Sequence, residues 1–187
     1  MAWIAGDKVV LRAWERDDVR IRWEADQTAD AEPQRLRDWH EPPRSLLRRE
    51  QDWEAEQSEP DASAVSLVIV ADERPVGDIN LFQIDTRNRH ALIGLSLWRA
   101  EDRDHGYGSD AIRAMLRWGF GHLNLHRIEL AVDGTNERAM HVYEKLGFVR
   151  EGVRRQHHYD GGVYHDEITM AILDCEFAAL DCGARAD

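Results

Sequence analysis

The residues best placed for chemistry form a short loop with two glycines, Arg103-Asp104-His105-Gly106-Tyr107-Gly108-Ser109. The loop follows a segment of strand character, Ala91 to Trp98, and precedes a segment whose apolar residues recur with helical spacing. Glycines at the entry to a helix leave backbone N–H groups uncovered, and these groups bind anions together with the positive end of the helix dipole. The loop therefore predicts a site for the pyrophosphate of a nucleotide-bearing cofactor.

Two well-known phosphate-binding loops do not match this segment. A Walker loop requires a lysine directly after its last glycine, but Ser109 follows Gly108. The dinucleotide fingerprint requires a third glycine where Ala111 stands, and no ribose-binding acid is evident at the right distance. A phosphate-loop NTPase is thereby excluded, while a glycine turn that merely begins a helix stays open for the loop taken alone.

A second motif follows the loop helix. The segment Ile128 to Asp133 alternates apolar and polar residues, which predicts a strand. The next segment places Ala139 and Tyr143 on one face of a helix, and Gly147 stands where that helix is expected to end.

Together the two motifs resemble those of the GNAT superfamily of acyl-CoA-dependent N-acetyltransferases. The family's loop reads [Q/R]-x-x-G-x-[G/A], and its matching residues here are Arg103, Gly106 and Gly108. The family's later signature reads N-x-x-A-x-x-x-Y-x-x-x-G-F, and its matching residues are Asn136, Ala139, Tyr143, Gly147 and Phe148. The resemblance extends from about residue 7 to residue 175 and looks closest to the branch of ribosomal-protein N-terminal and bacterial spermidine acetyltransferases.

The resemblance implies acetyl-CoA as co-substrate. It implies that a strand binds the pantetheine arm with its backbone groups, as an added strand would, through Leu95, Ser96 and Leu97. A splay at the end of that strand would open a cleft for the arm. The family places the pyrophosphate on loop amides, here those of His105, Gly106, Tyr107, Gly108 and Ser109, with Arg103 adding positive charge.

The resemblance also assigns roles to the later motif. Asn136 and Ala139 are expected to contact the cofactor, although Asn136 could equally cap the following helix. Tyr143 resembles the family's general acid, because a phenol with a pKa of roughly 10 can protonate a thiolate with a pKa of about 8.5. The implied reaction is direct attack of a primary amine on acetyl-CoA through a tetrahedral intermediate. A core tyrosine on a helix face is the alternative for Tyr143.

The general base is not evident. Many members of this branch have Glu on the third central strand, where this chain has Leu92. Glu41, which follows Trp39-His40, resembles an acidic position near the acceptor site of the spermidine enzymes and is the candidate catalytic residue; Asp78 is another. Both could instead be structural acids, and no base is needed if the amine loses its proton to water first. Trp39 could line an acceptor pocket.

The alternative to an enzyme is a non-catalytic acyl-CoA-binding sensor or scaffold. Leu92 favours this hypothesis, because a missing carboxylate is consistent with lost chemistry. Tyr143 argues against it, because a sensor needs no proton donor at that position.

The length of the chain and its net charge limit the domain organisation and the kind of partner that the protein binds. The 187 residues predict a single domain over 1–187, with a core at about 7–175 and a short C-terminal tail at 176–187. The net charge of −12 argues against nucleic acid and favours a cationic amine, which is a small molecule, a polyamine, an antibiotic or a peptide N-terminus. A homodimer is expected from the resemblance alone.

The compartment is expected to be the cytoplasm. No apolar run is long enough to cross a membrane, and the first residues lack the pattern of a secretion signal. The only cysteines, Cys175 and Cys182, suit free thiols in a reducing compartment.

The expected fold is α/β (α+β), with a mixed, mostly antiparallel central sheet flanked by helices on both faces, in the order β-αα-βββ-α-β-α-ββ. The expected elements before the loop are a strand at Lys8–Trp14, helices from Asp17 to Asp26 and from Arg44 to Gln57, and strands at Val65–Ala71, Val76–Ile84 and Ala91–Trp98. A closing hairpin is expected from about Phe148 to Tyr159 and from Val163 to Leu173, with its turn at Asp160-Gly161-Gly162. Its histidines, His157, His158 and His165, are not expected to bind a metal, because neighbours on a strand point to opposite faces.

Overall fold

The computed structural model describes residues 4–27, 44–160 and 162–184. The strands in this part of the chain are β1 (Ile4–Ala5), β2 (Val10–Arg12), β3 (Val65–Ala71), β4 (Arg74–Asp85), β5 (His90–Leu97), β6 (Arg127–Asp133), β7 (Val149–Asp160) and β8 (Val163–Leu173). Within the same described residues, the α-helices are α1 (Arg16–Asp26), α2 (Leu46–Ser58), α3 (Tyr107–Gly121), α4 (Glu137–Lys145) and α5 (Asp174–Ala184). A 3-10 turn at Ala100–Asp102 precedes the glycine loop.

The strands form one mixed sheet in the order β1-β2-β3-β4-β5-β6-β8-β7. Strands β1 to β4 pair antiparallel, as do β6, β8 and β7, whereas β5 runs parallel to β6. The parallel pairing joins His90–Leu92 to Arg127–Glu129, and β5 continues beyond it to Leu97. The prediction of a mixed, mostly antiparallel α/β fold is confirmed.

Two elements differ from the expectation. A short strand, β1, precedes the first predicted strand and pairs with it through Ile4↔Leu11. Most of the segment expected to be a C-terminal tail lies in helix α5, where Phe177 is buried with its ring centroid 5.6 Å from that of Phe120. Arg117 fixes the same helix by donating hydrogen bonds of 2.7 and 3.0 Å to Asp181.

Backbone contacts divide the chain into two compact units. Unit 1 comprises Met1–Leu81 and Gly94–Ala114, and unit 2 comprises Phe82–Ile93 and Met115–Asp187. The prediction of a single domain over 1–187 stays a prediction. None of the helices in the described residues is long and apolar enough to span a membrane.

Each unit has its own buried apolar residues. In unit 1 the buried Ala25, Val68 and Trp98 pack together, and the half-buried Trp14 and Ile21 cover them. The unit 2 core comes from alternate residues of its strands and from α3, and includes Ile128, Leu130, Val132, Met115, Leu116, Met170 and Ile172. Alternation on β6 follows from the period-2 geometry of a strand with one buried face.

Gly77 allows β4 and β5 to approach closely in unit 1. A Cβ at this position would lie only 2.2 Å from the backbone oxygen of Ser96 and 3.2 Å from the Cα of Leu97. The amide of Trp98 donates a hydrogen bond of 3.0 Å to Val76 O at the same place. A side chain at residue 77 would therefore push against the backbone of β5.

Candidate functional site

The glycine loop leads directly into α3, as its sequence predicts. Gly106 adopts a φ of +81°, which residues with side chains rarely adopt. Its carbonyl accepts the N–H of Asp110 at 3.0 Å, the first bond of the helix. The N–H groups of Tyr107, Gly108 and Ser109 come before that bond, and the first N–H groups of a helix have no partner within it. These donors and the helix dipole are suited to an anion.

A buried carboxylate fixes the N-terminal segment against the start of α3. Asp110 accepts hydrogen bonds from the backbone N–H groups of Asp7, Lys8 and Val9, at 3.1, 2.7 and 3.0 Å. A Cβ on Gly6 would lie 2.3 Å from the same carboxylate, so only glycine fits there without movement. The negative charge of Asp110 also lies in the first turn of α3, where the helix dipole stabilises it.

Because Asp110 holds this segment, the side chain of Lys8 lies against the glycine loop. Its Nζ donates a hydrogen bond of 2.9 Å to the carbonyl of His105. The same Nζ would be 3.1 Å from a Cβ on Gly106. The sequence pattern assigns no role to Lys8 or to the side chain of Asp110, because both contacts join residues about a hundred positions apart in sequence.

The hairpin formed by β3 and β4 contacts the glycine loop on both of its sides. On the entry side, Arg74 forms an ion pair with the fully buried Asp102. On the exit side, the hydroxyl of Tyr107 donates a hydrogen bond of 2.6 Å to Asp72. This bond and the nearby negative charge raise the pKa of the Tyr107 phenol above its ordinary value. The loop is therefore fixed by polar contacts to a neighbouring hairpin.

Two of the predicted loop residues pack on each other. The rings of His105 and Tyr107 stack with centroids 5.4 Å apart and planes 16° apart. His105 Nδ1 lies 2.8 Å from the carbonyl oxygen of Arg103. Arg103 is half-buried and stands at the end of the 3-10 turn.

The strand residues predicted to bind the pantetheine arm lie next to the loop in unit 1. A Cβ on Gly108 would stand 3.5 Å from the Cδ2 of Leu95 and 3.8 Å from the Cδ1 of Leu97. Leu95, Ser96 and Leu97 are half-buried and lie beyond the part of β5 that pairs with β6. The structure thus brings Leu95, Leu97 and Gly108 together.

The later motif lies on α4 in unit 2. Asn136 is the N-cap of this helix and accepts the N–H of Ala139 at 3.0 Å through Oδ1. Tyr143 is half-buried and meets Phe148 edge to face, with centroids 5.8 Å apart. Gly147 ends the helix with a φ of +95°, as the sequence predicts. The capping role of Asn136 is confirmed, and its contact with the cofactor stays a prediction.

The candidate bases have different outcomes. Glu41 and Trp39 lie outside the described residues. Asp78 is buried, and its carboxylate accepts hydrogen bonds from Trp98 Nε1 at 2.6 Å, Arg22 at 2.9 Å and Asn80 at 3.0 Å. An arginine partner and two further donors already occupy this buried carboxylate, so the geometry favours a structural role for Asp78.

The loop residues pass a direct test of fit to a pyrophosphate. The left-handed Gly106 leaves its backbone uncovered, the first turn of α3 supplies N–H donors, and Lys8 adds a cation at the same place. Across residues 4–27, 44–160 and 162–184, no three His, Cys, Asp or Glu side chains are grouped so as to hold a metal ion. In this part of the chain His158 and His165 have ring centroids 6.2 Å apart, and Cys175 is a free, exposed thiol.

Comparison with known proteins finds matches over most of the chain. A family model described as an acetyltransferase (GNAT) domain matches residues 8–149. Spermidine N(1)-acetyltransferase of Escherichia coli (strain K12) is 30% identical over 171 residues, which cover 91% of this chain and 89% of that protein. The protein of the same name from Vibrio cholerae is 27% identical over 170 residues, covering 91% and 95%.

A solved structure extends this likeness to the fold. The crystal structure of spermidine N-acetyltransferase from Vibrio cholerae in complex with CoA and spermine superposes with a TM-score of 0.79 at 27% identity, over 91% of this chain and 98% of that one. The chain therefore belongs to the GNAT acetyltransferase family. Within that family it is an acetyl-CoA-dependent N-acetyltransferase, as predicted, and the sensor alternative is not favoured.

Proposed function

We propose that this enzyme acetylates a polyamine, with spermidine as the representative acceptor. The observation that carries the proposal is the 30% identity to the Escherichia coli spermidine N(1)-acetyltransferase over 89% of that protein's length. The net charge of −12 supports it, because an acidic protein attracts a polycation and raises its encounter rate.

The loop and β5 are proposed to hold acetyl-CoA. The amides of His105, Gly106, Tyr107, Gly108 and Ser109 would bind the pyrophosphate, with Arg103 adding charge. Backbone groups of Leu95, Ser96 and Leu97 would bind the pantetheine arm, since β5 extends beyond its pairing with β6.

Asn136 and Ala139 are proposed to contact the pantetheine arm, as the resemblance to the family implies. The Oδ1 of Asn136 accepts the cap bond, which leaves its amide Nδ2–H₂ as the group that can donate to a carbonyl of the arm. A cap and a cofactor contact are therefore compatible in one side chain.

Tyr143 is proposed as the general acid. Acetyl-CoA, when bound, supplies an acetyl group activated as a thioester. As the C–S bond breaks, the phenol would give its proton to the departing sulfur, and the acceptor nitrogen would lose a proton. The packing of Tyr143 against Phe148 supports this role by limiting the positions of the ring.

Glu41 is proposed as the general base on the acceptor side, where its carboxylate would bind an ammonium group and take its proton. Leu92 has no ionisable group. The carboxylate of Asp78 is already engaged by hydrogen bonds from Arg22 and Trp98. Water is the alternative acceptor of the proton.

An acceptor panel tests the proposal. The enzyme would be given saturating acetyl-CoA with spermidine, an aminoglycoside, an amino-acid amide or a short basic peptide, and free thiol release would be followed. Spermidine is expected to give the highest kcat/KM, with one N-acetylspermidine formed for each thiol released. Faster turnover of the peptide or the aminoglycoside would overturn the acceptor assignment.

The same panel addresses the sensor alternative. Tight acetyl-CoA binding without thiol release from any acceptor would favour a sensor.

Size-exclusion chromatography with light scattering tests the predicted homodimer. One solved structure of the Vibrio cholerae enzyme is dodecameric.

A further inference from the structure

We infer that Lys8, a residue outside the glycine loop, is a binding residue for the pyrophosphate of acetyl-CoA. The inference rests on the proposed role of the loop and adds a side-chain cation to its backbone donors. A lysine ammonium is a compact point charge that suits a phosphate group. The chain thus supplies the loop with a charge from a distant part of its sequence.

The position of Lys8 carries the argument. Its Nζ is 2.9 Å from the carbonyl of His105 and 3.1 Å from where a Cβ on Gly106 would stand. Both residues belong to the segment whose amides are proposed to bind the pyrophosphate. An anion on those amides would therefore lie within the reach of the ammonium.

Hydrogen bonds fix the backbone around Lys8, while its side chain is exposed. The N–H groups of Asp7, Lys8 and Val9 all donate to the buried carboxylate of Asp110. Asp110 is itself in the first turn of α3, so the origin of the side chain is fixed to the helix that begins at the loop. Lys8 is an exposed residue, so a ligand can reach its side chain from solvent.

The ammonium has donors to spare. It carries three N–H groups, and its described hydrogen bond to His105 O uses one of them. A purely structural bond to that carbonyl would need only one donor and no charge. A pyrophosphate would use the other donors and the charge together, in a charge-assisted hydrogen bond.

The composition of the chain makes a direct chemical test possible. Of its 24 basic residues only Lys8 and Lys145 are lysines. Lys145 is exposed in the last turn of α4 and serves as an internal reference. Brief treatment with an N-hydroxysuccinimide ester, followed by peptide mass spectrometry, would report the reactivity of each lysine separately.

Protection by ligand is the first readout. Saturating CoA is expected to slow the labelling of Lys8 at least about fivefold, since a phosphate both covers an ammonium and keeps it protonated. Labelling of Lys145 should not change. Pantetheine, which lacks the pyrophosphate, should protect neither lysine.

Affinity of a variant is the second readout and separates contact from mere proximity. Lys8→Met is expected to weaken binding of CoA and of 3′-dephospho-CoA by the same factor, about tenfold, which is the size of a lost hydrogen bond to a charged group. Binding of pantetheine should be unchanged. Lys145→Met, the matched control, should bind all three ligands as the unaltered enzyme does.

Each contrary outcome has a separate meaning. Equal affinity of Lys8→Met and the unaltered enzyme for CoA would overturn the inference, as would an equal loss for pantetheine. A loss for CoA that disappears with 3′-dephospho-CoA would overturn it too, by placing Lys8 on the 3′-phosphate. Failure of the unaltered enzyme to bind CoA would instead overturn the proposed role of the loop.

Discussion

The contact between Tyr107 and Asp72 requires the phenol of Tyr107 to keep its proton. The phenol donates to the carboxylate of Asp72, and the charge there disfavours the phenolate. A raised pKa in the folded state means that the bond contributes its full stability below the ordinary tyrosine pKa of about 10 and loses it as the pH rises through the raised value. The loop contact is therefore complete throughout the physiological range.

A titration of phenolate absorbance checks this. Among the four tyrosines, Tyr107 is expected to ionise above pH 10, and the difference between the unaltered protein and Tyr107→Phe isolates its curve. Asp72→Asn removes the charge and should bring that curve to lower pH. An unshifted curve in Asp72→Asn would show that the carboxylate does not hold the proton.

Single residues also mark where sequence reasoning succeeds and where it stops. The places of Gly106 at the entry to α3 and of Gly147 at the end of α4 could be predicted, because each has a local sequence pattern around it. Lys8, Asp72 and Asp110 could not, since their partners lie far away in sequence and nothing local records the contact. The backbone conformation of the loop thus follows from a local sequence pattern, whereas the side-chain contacts that fix it come from residues far away in sequence.

At the scale of elements, strand positions were the most predictable. Val65–Ala71 is the strand that its apolar run predicts, and the closing hairpin begins one residue later than expected. The helical nature of Asp174–Ala184 was missed because its stability comes from tertiary contacts, such as Arg117 with Asp181, and not from a strong local pattern.

The pairing of β4 with β5 gives a stability prediction. Gly77→Ala places a methyl group against Ser96 O and is expected to lower the free energy of unfolding by about 1–3 kcal/mol. Gly121→Ala is the matched control, since a Cβ there meets nothing within 4 Å. Urea denaturation measures both, and equal stability of the two variants would contradict the close approach.

The contact of Asp110 with the N-terminal segment gives a second stability prediction. Asp110→Asn turns one accepting oxygen into a donor that faces backbone N–H groups, so a loss of about 1–3 kcal/mol is expected. Thermal or urea unfolding gives the value. Unchanged stability would mean that the segment around Lys8 is not held by this carboxylate.

At the scale of the whole molecule, charge is the property most relevant to the acceptor. With a net charge of −12, the protein should attract a polyamine less strongly as salt screens its field. At saturating acetyl-CoA, the KM for spermidine is expected to rise with sodium chloride while kcat changes little. A KM for spermidine that is independent of salt would argue against electrostatic attraction.

The measurement that tests the account most directly compares the unaltered enzyme with Tyr143→Phe at saturating acetyl-CoA and spermidine. Loss of a general acid typically costs about 10²–10⁴-fold in rate, so kcat should fall by that amount while the Kd for CoA is unchanged. Tyr164→Phe, on the exposed hairpin, is the control and should retain full activity. Full activity in Tyr143→Phe would contradict the assigned chemistry, because the departing thiolate would then obtain its proton elsewhere.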